Sequence, residues 1–160
     1  MNILVLCTGN SARSILLEHI LTRHGGDGIT AFSAGSQPSG QVHPQSIALL
    51  TAEGYDTSAA RSKSWDEFAE ADAPEMDIVI TVCGSAANET CPMWPGAPVR
   101  AHWGVEDPAA APEDDQPQAF RTAYDILKRR AEAFLALPLD TLASDKAALQ
   151  KELNQIGSLP

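Results

Sequence analysis

The sequence predicts an α/β fold of three layers, in which helices cover both faces of an open, parallel, four-stranded sheet. Short apolar runs alternate with segments of helical periodicity, and such βαβ alternation is typical of parallel sheets. The first run, Asn2–Leu6, is almost continuously apolar, as expected of a strand that is buried on both faces. A length of 160 residues suits one domain with its own core.

Four apolar runs have the length of strands rather than of helices. The second run stops at Gly35, and the third is the clearest strand pattern in the chain. The predicted strands are Asn2–Leu6, Ile29–Ala34, Asp77–Val82 and Pro98–Trp103.

Helical spacing of apolar residues follows each of the first two strands. Ser14–His24 stops at Gly25-Gly26, and His43–Glu53 has Pro44 in its first turn. Residues 108–117 are rich in Pro, Ala, Glu and Asp, which indicates a loop. Three further helices are predicted: a short acidic one over Ser64–Ala71, a long amphipathic one over Gln118–Leu137, and a final one over Leu139–Ile156.

The charge of the chain argues against several classes of partner. Lys and Arg number 11 against 21 Asp and Glu, a formal net charge of −10, whereas binding to nucleic acid or an anionic membrane needs clustered basic residues. No apolar run approaches the roughly 20 residues of a membrane span, and residues 1–6 lack the basic start of a secretory signal. We therefore expect a cytoplasmic protein that binds neither nucleic acid nor membrane.

The turn between the first strand and the first helix carries the strongest functional motif, Cys7-Thr8-Gly9-Asn10-Ser11-Ala12-Arg13-Ser14. The N–H groups of Thr8 to Arg13 can surround one tetrahedral oxyanion beside the positive end of the helix, and the planar guanidinium of Arg13 can hold two of its oxygens. The same field is expected to lower the pKa of Cys7 below about 8.5. Ser14 is placed to hydrogen-bond the sulfur. The motif predicts a thiolate nucleophile in an oxyanion-binding loop.

The other two cysteines, Cys83 and Cys91, are close together in the sequence. An odd number of cysteines in a cytoplasmic chain does not indicate a static disulfide framework. Cys83 directly follows the third predicted strand. If that strand adjoins the first, Cys7 and Cys83 lie about 4.8 Å apart across the sheet, within the Cα separation of about 4.4–6.8 Å that a disulfide needs. Cys91 follows seven small or polar residues, which can change conformation at low cost.

Seven short motifs in residues 7–108 together resemble the low-molecular-weight tyrosine phosphatases, and more narrowly the arsenate reductases that share this fold and couple to thioredoxin. The resemblance implies the strand order 2-1-3-4, a domain over residues 1–137, and a helical tail over 138–160 that packs on or beside it. The motifs are Cys7 to Ser14, Ser33-Ala34-Gly35, Val42-His43-Pro44, Ser62-Lys63-Ser64, Thr81-Val82-Cys83, Cys91-Pro92 and His102-Trp103-Gly104-Val105-Glu106-Asp107-Pro108.

The resemblance implies a thiol relay for arsenic detoxification. Cys7 attacks arsenate, Cys83 then attacks Cys7 and releases arsenite, and Cys91 moves the disulfide to Cys83–Cys91 for reduction by an external thiol protein. Asp107, rather than Glu106, is implied as the general acid. No cofactor is expected to bind tightly, but the resemblance implies a potassium ion at Asn10, Glu18 and Ser33.

Two departures from the family pattern bear on substrate and reductant. The Cys83–Cys91 spacing is one residue longer than in well-known thioredoxin-linked members. The identity of the electron donor therefore stays open, with glutaredoxin and glutathione, or mycothiol, as alternatives to thioredoxin. Ala109-Ala110 replaces the aromatic residue that sandwiches phosphotyrosine, which favours a small inorganic oxyanion, with phosphate or sulfate as mimics of arsenate. We expect the protein to be a monomer.

Two other functions stay open from the sequence. One is a phosphatase that uses only Cys7, Arg13 and Asp107, with Cys83 as a redox safeguard. The other is a non-enzymatic protein that binds arsenite through Cys83 and Cys91. A three-step reductase is favoured over both because it gives all three cysteines a role.

Overall fold

A computed structural model describes residues 1–84, Trp94 and residues 97–160. Its four strands are β1 (Asn2–Cys7), β2 (Thr30–Gly35), β3 (Ile78–Thr81) and β4 (Val99–His102). They form one parallel sheet of order β2-β1-β3-β4. The predicted sheet and its strand order are therefore confirmed, and the carboxyl ends of β1 and β3 lie side by side.

Five α-helices occur in the described residues, and the first three of them are close to predicted positions. The long amphipathic helix begins and ends two residues earlier than predicted, with Pro117 in its first turn. The helices are α1 (Arg13–His24), α2 (Pro44–Ala52), α3 (Gln116–Leu135), α4 (Leu139–Leu142) and α5 (Lys146–Gly157).

Two helix predictions are wrong in extent. The final helix, predicted over Leu139–Ile156, is divided into α4 and α5 because the Asp145 carboxylate accepts the Ala148 N–H at 3.1 Å and starts a new helix. The acidic helix predicted over Ser64–Ala71 is one 3₁₀ turn, Trp65–Phe68, which closes with the Ala69 N–H bonded to the Asp66 carbonyl.

The core has two parts, one on each face of the sheet. Ile3 to Leu6 of β1 are fully buried, as predicted for a strand covered on both faces. Ile3 and Val5 pack in the larger cluster with α1 and α3, whereas Leu4 and Leu6 pack on the other face with Phe68, Met76 and Trp94. Because successive side chains of a strand point to opposite faces, β1 contributes to both halves of the core.

The last helix, α5, packs beside β4. Its Leu149, Leu153 and Ile156 are buried in the larger core cluster, and the Trp103 indole N–H donates to the Leu153 carbonyl at 3.0 Å. The C-terminal segment thus shares the core of the sheet. No helix in the described part of the chain is long and apolar enough to cross a membrane.

Candidate active site

The loop between β1 and α1 has its carbonyl groups bonded to neighbouring backbone. In a planar trans peptide, the N–H points opposite to the carbonyl that precedes it. The N–H groups of Gly9 and Ala12, two residues that line the candidate oxyanion pocket, are thereby turned away from these backbone partners. The three bonds run from Gln37 N to Thr8 O, from Ser39 N to Gly9 O and from His43 N to Ser11 O, each at 3.0 Å.

Asn10 gives this loop its shape. It has a φ of +47°, a conformation that asparagine tolerates better than most residues. Its fully buried side chain donates to the Ser14 Oγ at 2.8 Å and accepts the Lys63 backbone N–H at 2.9 Å. Ser14 therefore lies buried beneath the loop, where it supports Asn10.

Gly35, at the end of β2, lies directly against the same loop. A Cβ on this residue would stand 2.8 Å from the Cys7 carbonyl oxygen and closer still to that of Thr8. Both obstacles are backbone atoms in a buried region, so they cannot move aside as a flexible side chain would. A glycine is required here for the close approach.

Arg13 extends from the start of α1 to the mouth of the pocket. Its Nη1 donates to the Val105 carbonyl at 2.9 Å, and its Nη2 lies 3.7 Å from the Asp107 Oδ2. Its Nε is buried and has no hydrogen-bond partner among the described residues. A buried donor is costly to leave unpaired, so an oxyanion oxygen is the natural partner for this N–H.

Asp107 stands at the mouth of the pocket, and its side chain is 45% exposed. Its Oδ1 accepts the Ala109 N–H at 3.0 Å and caps the 3₁₀ turn Pro108–Ala110. Oδ2 remains directed toward Arg13, so this carboxyl can reach a bound oxyanion. The position suits the general acid that the family resemblance implies for this residue.

One pocket, of about 470 Å³, brings these groups together. A larger groove, of about 560 Å³ beside His19 and Tyr55, contains neither of the described cysteines, so the smaller pocket is the candidate active site. Its lining comprises Cys7, Thr8, Gly9, Ser11, Ala12, Arg13, Cys83, Gly84, Asp107 and Ala109.

Two of the three cysteines meet in this pocket as reduced thiols. Cys7 is 5% exposed and Cys83 is 4% exposed. Both side chains line the pocket, the Cys83 thiol acts on the pKa of Cys7, and the Cys83 Sγ lies 3.6 Å from the Thr8 Oγ1. This proximity follows from the pairing of β1 with β3, although β3 ends two residues before Cys83. Cys91 lies outside the described residues.

The environment of Cys7 acts on its pKa in both directions. The hydrogen bond with the Cys83 thiol and burial raise the pKa of Cys7 well above its ordinary value, while the Arg13 charge and the Thr8 backbone N–H lower it. The influences that raise the pKa of Cys7 are larger than those that lower it. The expectation of a lowered pKa is therefore wrong for Cys7 beside a reduced Cys83. A second thiol in contact outweighs the field of the loop.

The three residues expected to bind potassium are close together, but their oxygens already have partners. The Asn10 Oδ1 accepts the Lys63 backbone N–H, and the Ser33 Oγ donates to the Glu18 Oε2 at 2.7 Å. The Lys63 ammonium lies 3.9 Å from the Glu18 Oε1 and 3.4 Å from the Ser33 Oγ. A potassium ion would be repelled by this ammonium at short range, so the arrangement does not fit the ion.

Lys63 is the site residue that sequence reasoning missed. It appears in the Ser62-Lys63-Ser64 motif, but nothing in that motif distinguishes a buried lysine from the usual solvated one. Its contacts come from α1, β2 and the oxyanion loop, which only the folded chain brings together.

A buried thiol on a loop of inward-facing N–H groups, with an arginine and a carboxyl at the pocket mouth, defines a class of protein. Such a site suits an enzyme that attacks a tetrahedral oxyanion with a cysteine. Residues 2–154 match the model of the low molecular weight phosphotyrosine protein phosphatases, and the chain belongs to this family. The match extends through most of the C-terminal helical segment.

Within this family, similar proteins carry the name arsenate reductase. The arsenate reductase of Halalkalibacterium halodurans is 36% identical over 131 residues, covering 81% of this chain and 91% of that protein. An arsenate reductase solved in its phosphate binding state is 30% identical, with a TM-score of 0.67 over 84% of this chain and 96% of that one. The thioredoxin-dependent arsenate reductase of Corynebacterium glutamicum is 26% identical, with a TM-score of 0.56 over 79% and 58% of the two chains.

Proposed function

We propose that this protein is an arsenate reductase, which converts arsenate to arsenite with Cys7 as nucleophile and Cys83 as the second thiol. The observation that carries the proposal is the presence of Cys83 together with Cys7 in the lining of the oxyanion pocket. A phosphatase of this fold needs one thiolate, whereas a reduction needs two electrons, which a pair of thiols can supply. The arsenate reductases among the relatives support the same substrate.

In the first step, the Cys7 thiolate attacks the arsenic atom. The N–H groups of the loop and the Arg13 guanidinium hold the arsenate oxygens. Asp107 gives its proton to the departing hydroxide, which leaves as water. An S–As bond forms, one As–O bond breaks, and arsenic remains in oxidation state V.

In the second step, the Cys83 thiolate attacks the Cys7 sulfur. The electron pair of the S–As bond stays with arsenic, which becomes arsenite in oxidation state III. The two sulfurs lose two electrons and form the Cys7–Cys83 disulfide. The position of the two cysteines in the lining of one pocket favours this step.

In the third step, Cys91 attacks Cys83, which forms the Cys83–Cys91 disulfide and restores the Cys7 thiolate. An external thiol reductant then completes the cycle. The name of the C. glutamicum relative favours thioredoxin, and glutaredoxin with glutathione, or mycothiol, are the competing donors.

The test is arsenate-dependent NADPH oxidation with thioredoxin and thioredoxin reductase, with arsenite measured directly. Parallel reactions with glutathione and glutaredoxin, or with mycothiol and its redoxin, identify the donor. The expected result is arsenite formation with one of these systems, and its complete loss in Cys7→Ser. If no arsenite forms with any of the three donor systems, the proposal that the protein is a reductase is contradicted.

Phosphatase activity is the second candidate, and the position of Asp107 favours it. A carboxyl beside Arg13 at the pocket mouth can protonate a departing alcohol as well as a departing hydroxide. Ala109 lines the pocket where phosphatases of this fold place an aromatic residue, so we expect only slow hydrolysis of a small aryl phosphate. Hydrolysis that outpaces arsenate reduction at saturating substrate would reverse the order of the two candidates.

A further inference from the structure

Lys63 carries a buried ammonium that the reaction steps do not use. The residue is 8% exposed. Its Nζ donates to the Arg61 carbonyl at 3.2 Å and to the Ser33 Oγ at 3.4 Å, and it lies 3.9 Å from the Glu18 Oε1. A buried lysine is rare unless it is paired, so this set of oxygens needs an explanation.

The backbone of Lys63 is bonded to the same structure that its ammonium faces. Its N–H donates to the Asn10 Oδ1 and its carbonyl accepts the Gly35 N–H, both at 2.9 Å. Asn10 is the positive-φ residue of the oxyanion loop, and Gly35 is the glycine packed against that loop. A displacement of Lys63 would therefore be transmitted to the oxyanion loop by direct hydrogen bonds.

The ammonium also balances a carboxylate. Glu18 is part of α1, and its side chain is only 18% exposed. Burial lowers the pKa of Lys63, and the Glu18 carboxylate acts in the opposite direction and favours the charged form. Without a cation, Glu18 would be a partly buried negative charge close to a pocket that must attract an anion.

We propose that the Lys63 ammonium replaces a monovalent metal ion. It occupies the position between Glu18 and Ser33, fixes Asn10 through its own backbone, and makes oxyanion binding independent of potassium. Lys63 is a positioning residue, since it acts on the oxyanion through Asn10 and the loop. The inference does not depend on arsenate reduction, because phosphate binding alone tests it.

The experiment compares phosphate binding by calorimetry in KCl, NH₄Cl, NaCl and choline chloride at equal ionic strength. The unaltered protein should bind phosphate with the same Kd in all four salts. Lys63→Ala removes the ammonium and leaves space for an ion, so phosphate should bind about tenfold more weakly in choline chloride. KCl and NH₄Cl, whose cations are similar in size to the lost group, should restore most of this affinity.

Two variants serve as controls. Lys63→Met fills the space without a charge, so its phosphate affinity should fall and no salt should restore it. Lys151→Ala removes an exposed lysine from α5 and should leave the Kd unchanged in every salt.

Three results would overturn the proposal. They are potassium dependence in the unaltered protein, unchanged affinity in Lys63→Ala, and a loss of affinity in that variant that neither potassium nor ammonium restores. The first can be measured even if the variants fail to fold.

Discussion

The reactivity of Cys7 is set by a competition between neighbours. Arg13 and the Thr8 N–H favour the thiolate, but the Cys83 thiol and burial favour the protonated form and raise the pKa of Cys7. At neutral pH, in this arrangement, Cys7 is therefore mainly a thiol. The attack on arsenic should then accelerate as the pH rises, because the thiolate fraction grows.

Replacing Cys83 by alanine should make Cys7 more acidic. The variant removes the largest of the causes that raise the pKa of Cys7, and leaves the opposing influences of Arg13 and the loop in place. Alkylation of Cys7 by iodoacetamide at neutral pH should become severalfold faster, with its midpoint at lower pH. Peptide mass mapping assigns the label to Cys7. A midpoint that stays in place, or moves to higher pH, would show that Cys83 does not control this thiol.

Prediction from sequence succeeds at this scale where the chemistry is local. The oxyanion loop, Cys7 to Arg13, is one continuous segment. Its Gly-Asn pair indicates a backbone with positive φ, which Asn10 adopts. Lys63 and the sign of the Cys7 pKa could not be predicted in this way. Both depend on side chains far apart in the sequence, and a pKa depends on the sum of all its neighbours.

At the scale of elements, the junction of β1, β2 and α1 holds the pocket in shape. Gly35 ends β2 opposite Cys7, and its N–H is bonded to the Lys63 carbonyl at 2.9 Å. The loop is thus fixed from β2 by close packing and from residues 61–63 by hydrogen bonds. Such support from several elements keeps catalytic geometry rigid.

Gly35→Ala should weaken both phosphate binding and folding. The new Cβ would press on the carbonyls of Cys7 and Thr8, and overpacking of this kind costs about 1–3 kcal/mol in the free energy of unfolding. Urea unfolding and phosphate calorimetry measure the two effects. Gly28→Ala is the matched control, since its Cβ would meet no atom within 4 Å, and it should change neither. An unaltered phosphate Kd in Gly35→Ala would mean that the loop tolerates displacement.

The ends of elements were harder to predict than their existence. Apolar spacing alone predicts one helix over Leu139–Ile156, but the Asp145 cap divides it. A capping aspartate and a solvated one look alike in sequence, and the bond to the Ala148 N–H decides between them. The acidic residues around Trp65–Phe68 suit a helix and predict one that is too long, because the backbone closes there as a single 3₁₀ turn.

At the scale of the whole molecule, the segment from residue 138 onward shares the main core. Leu153 is fully buried, and Arg130 of α3 donates to the carbonyls of both Gly104 and Leu159 at 3.1 Å. Gly104 precedes the turn that carries Asp107. The C-terminal segment and the pocket mouth are therefore connected through one arginine, which supports the prediction that the tail packs on or beside the same domain.

Leu153→Ala should destabilise the protein as one unit. Removing a fully buried leucine side chain costs about 2–5 kcal/mol in the free energy of unfolding, and a shared core should lower the midpoint of one cooperative transition. Leu159→Ala alters the same residue type where the side chain is exposed, and should change stability by less than about 0.5 kcal/mol. Urea unfolding followed by circular dichroism and by tryptophan fluorescence should agree. A separate early transition in Leu153→Ala would show that the tail folds independently.

The proposed relay connects the pocket with the chain between β3 and β4, and serine variants separate its steps. In Cys91→Ser, arsenate should convert the two thiols that line the pocket into a Cys7–Cys83 disulfide, because no third thiol remains to resolve it. The unaltered protein, without reductant, should accumulate Cys83–Cys91 instead. Peptide mass mapping distinguishes the two. Turnover of Cys91→Ser at the native rate with thioredoxin would eliminate the third step and leave an enzyme that passes the Cys7–Cys83 disulfide directly to its reductant.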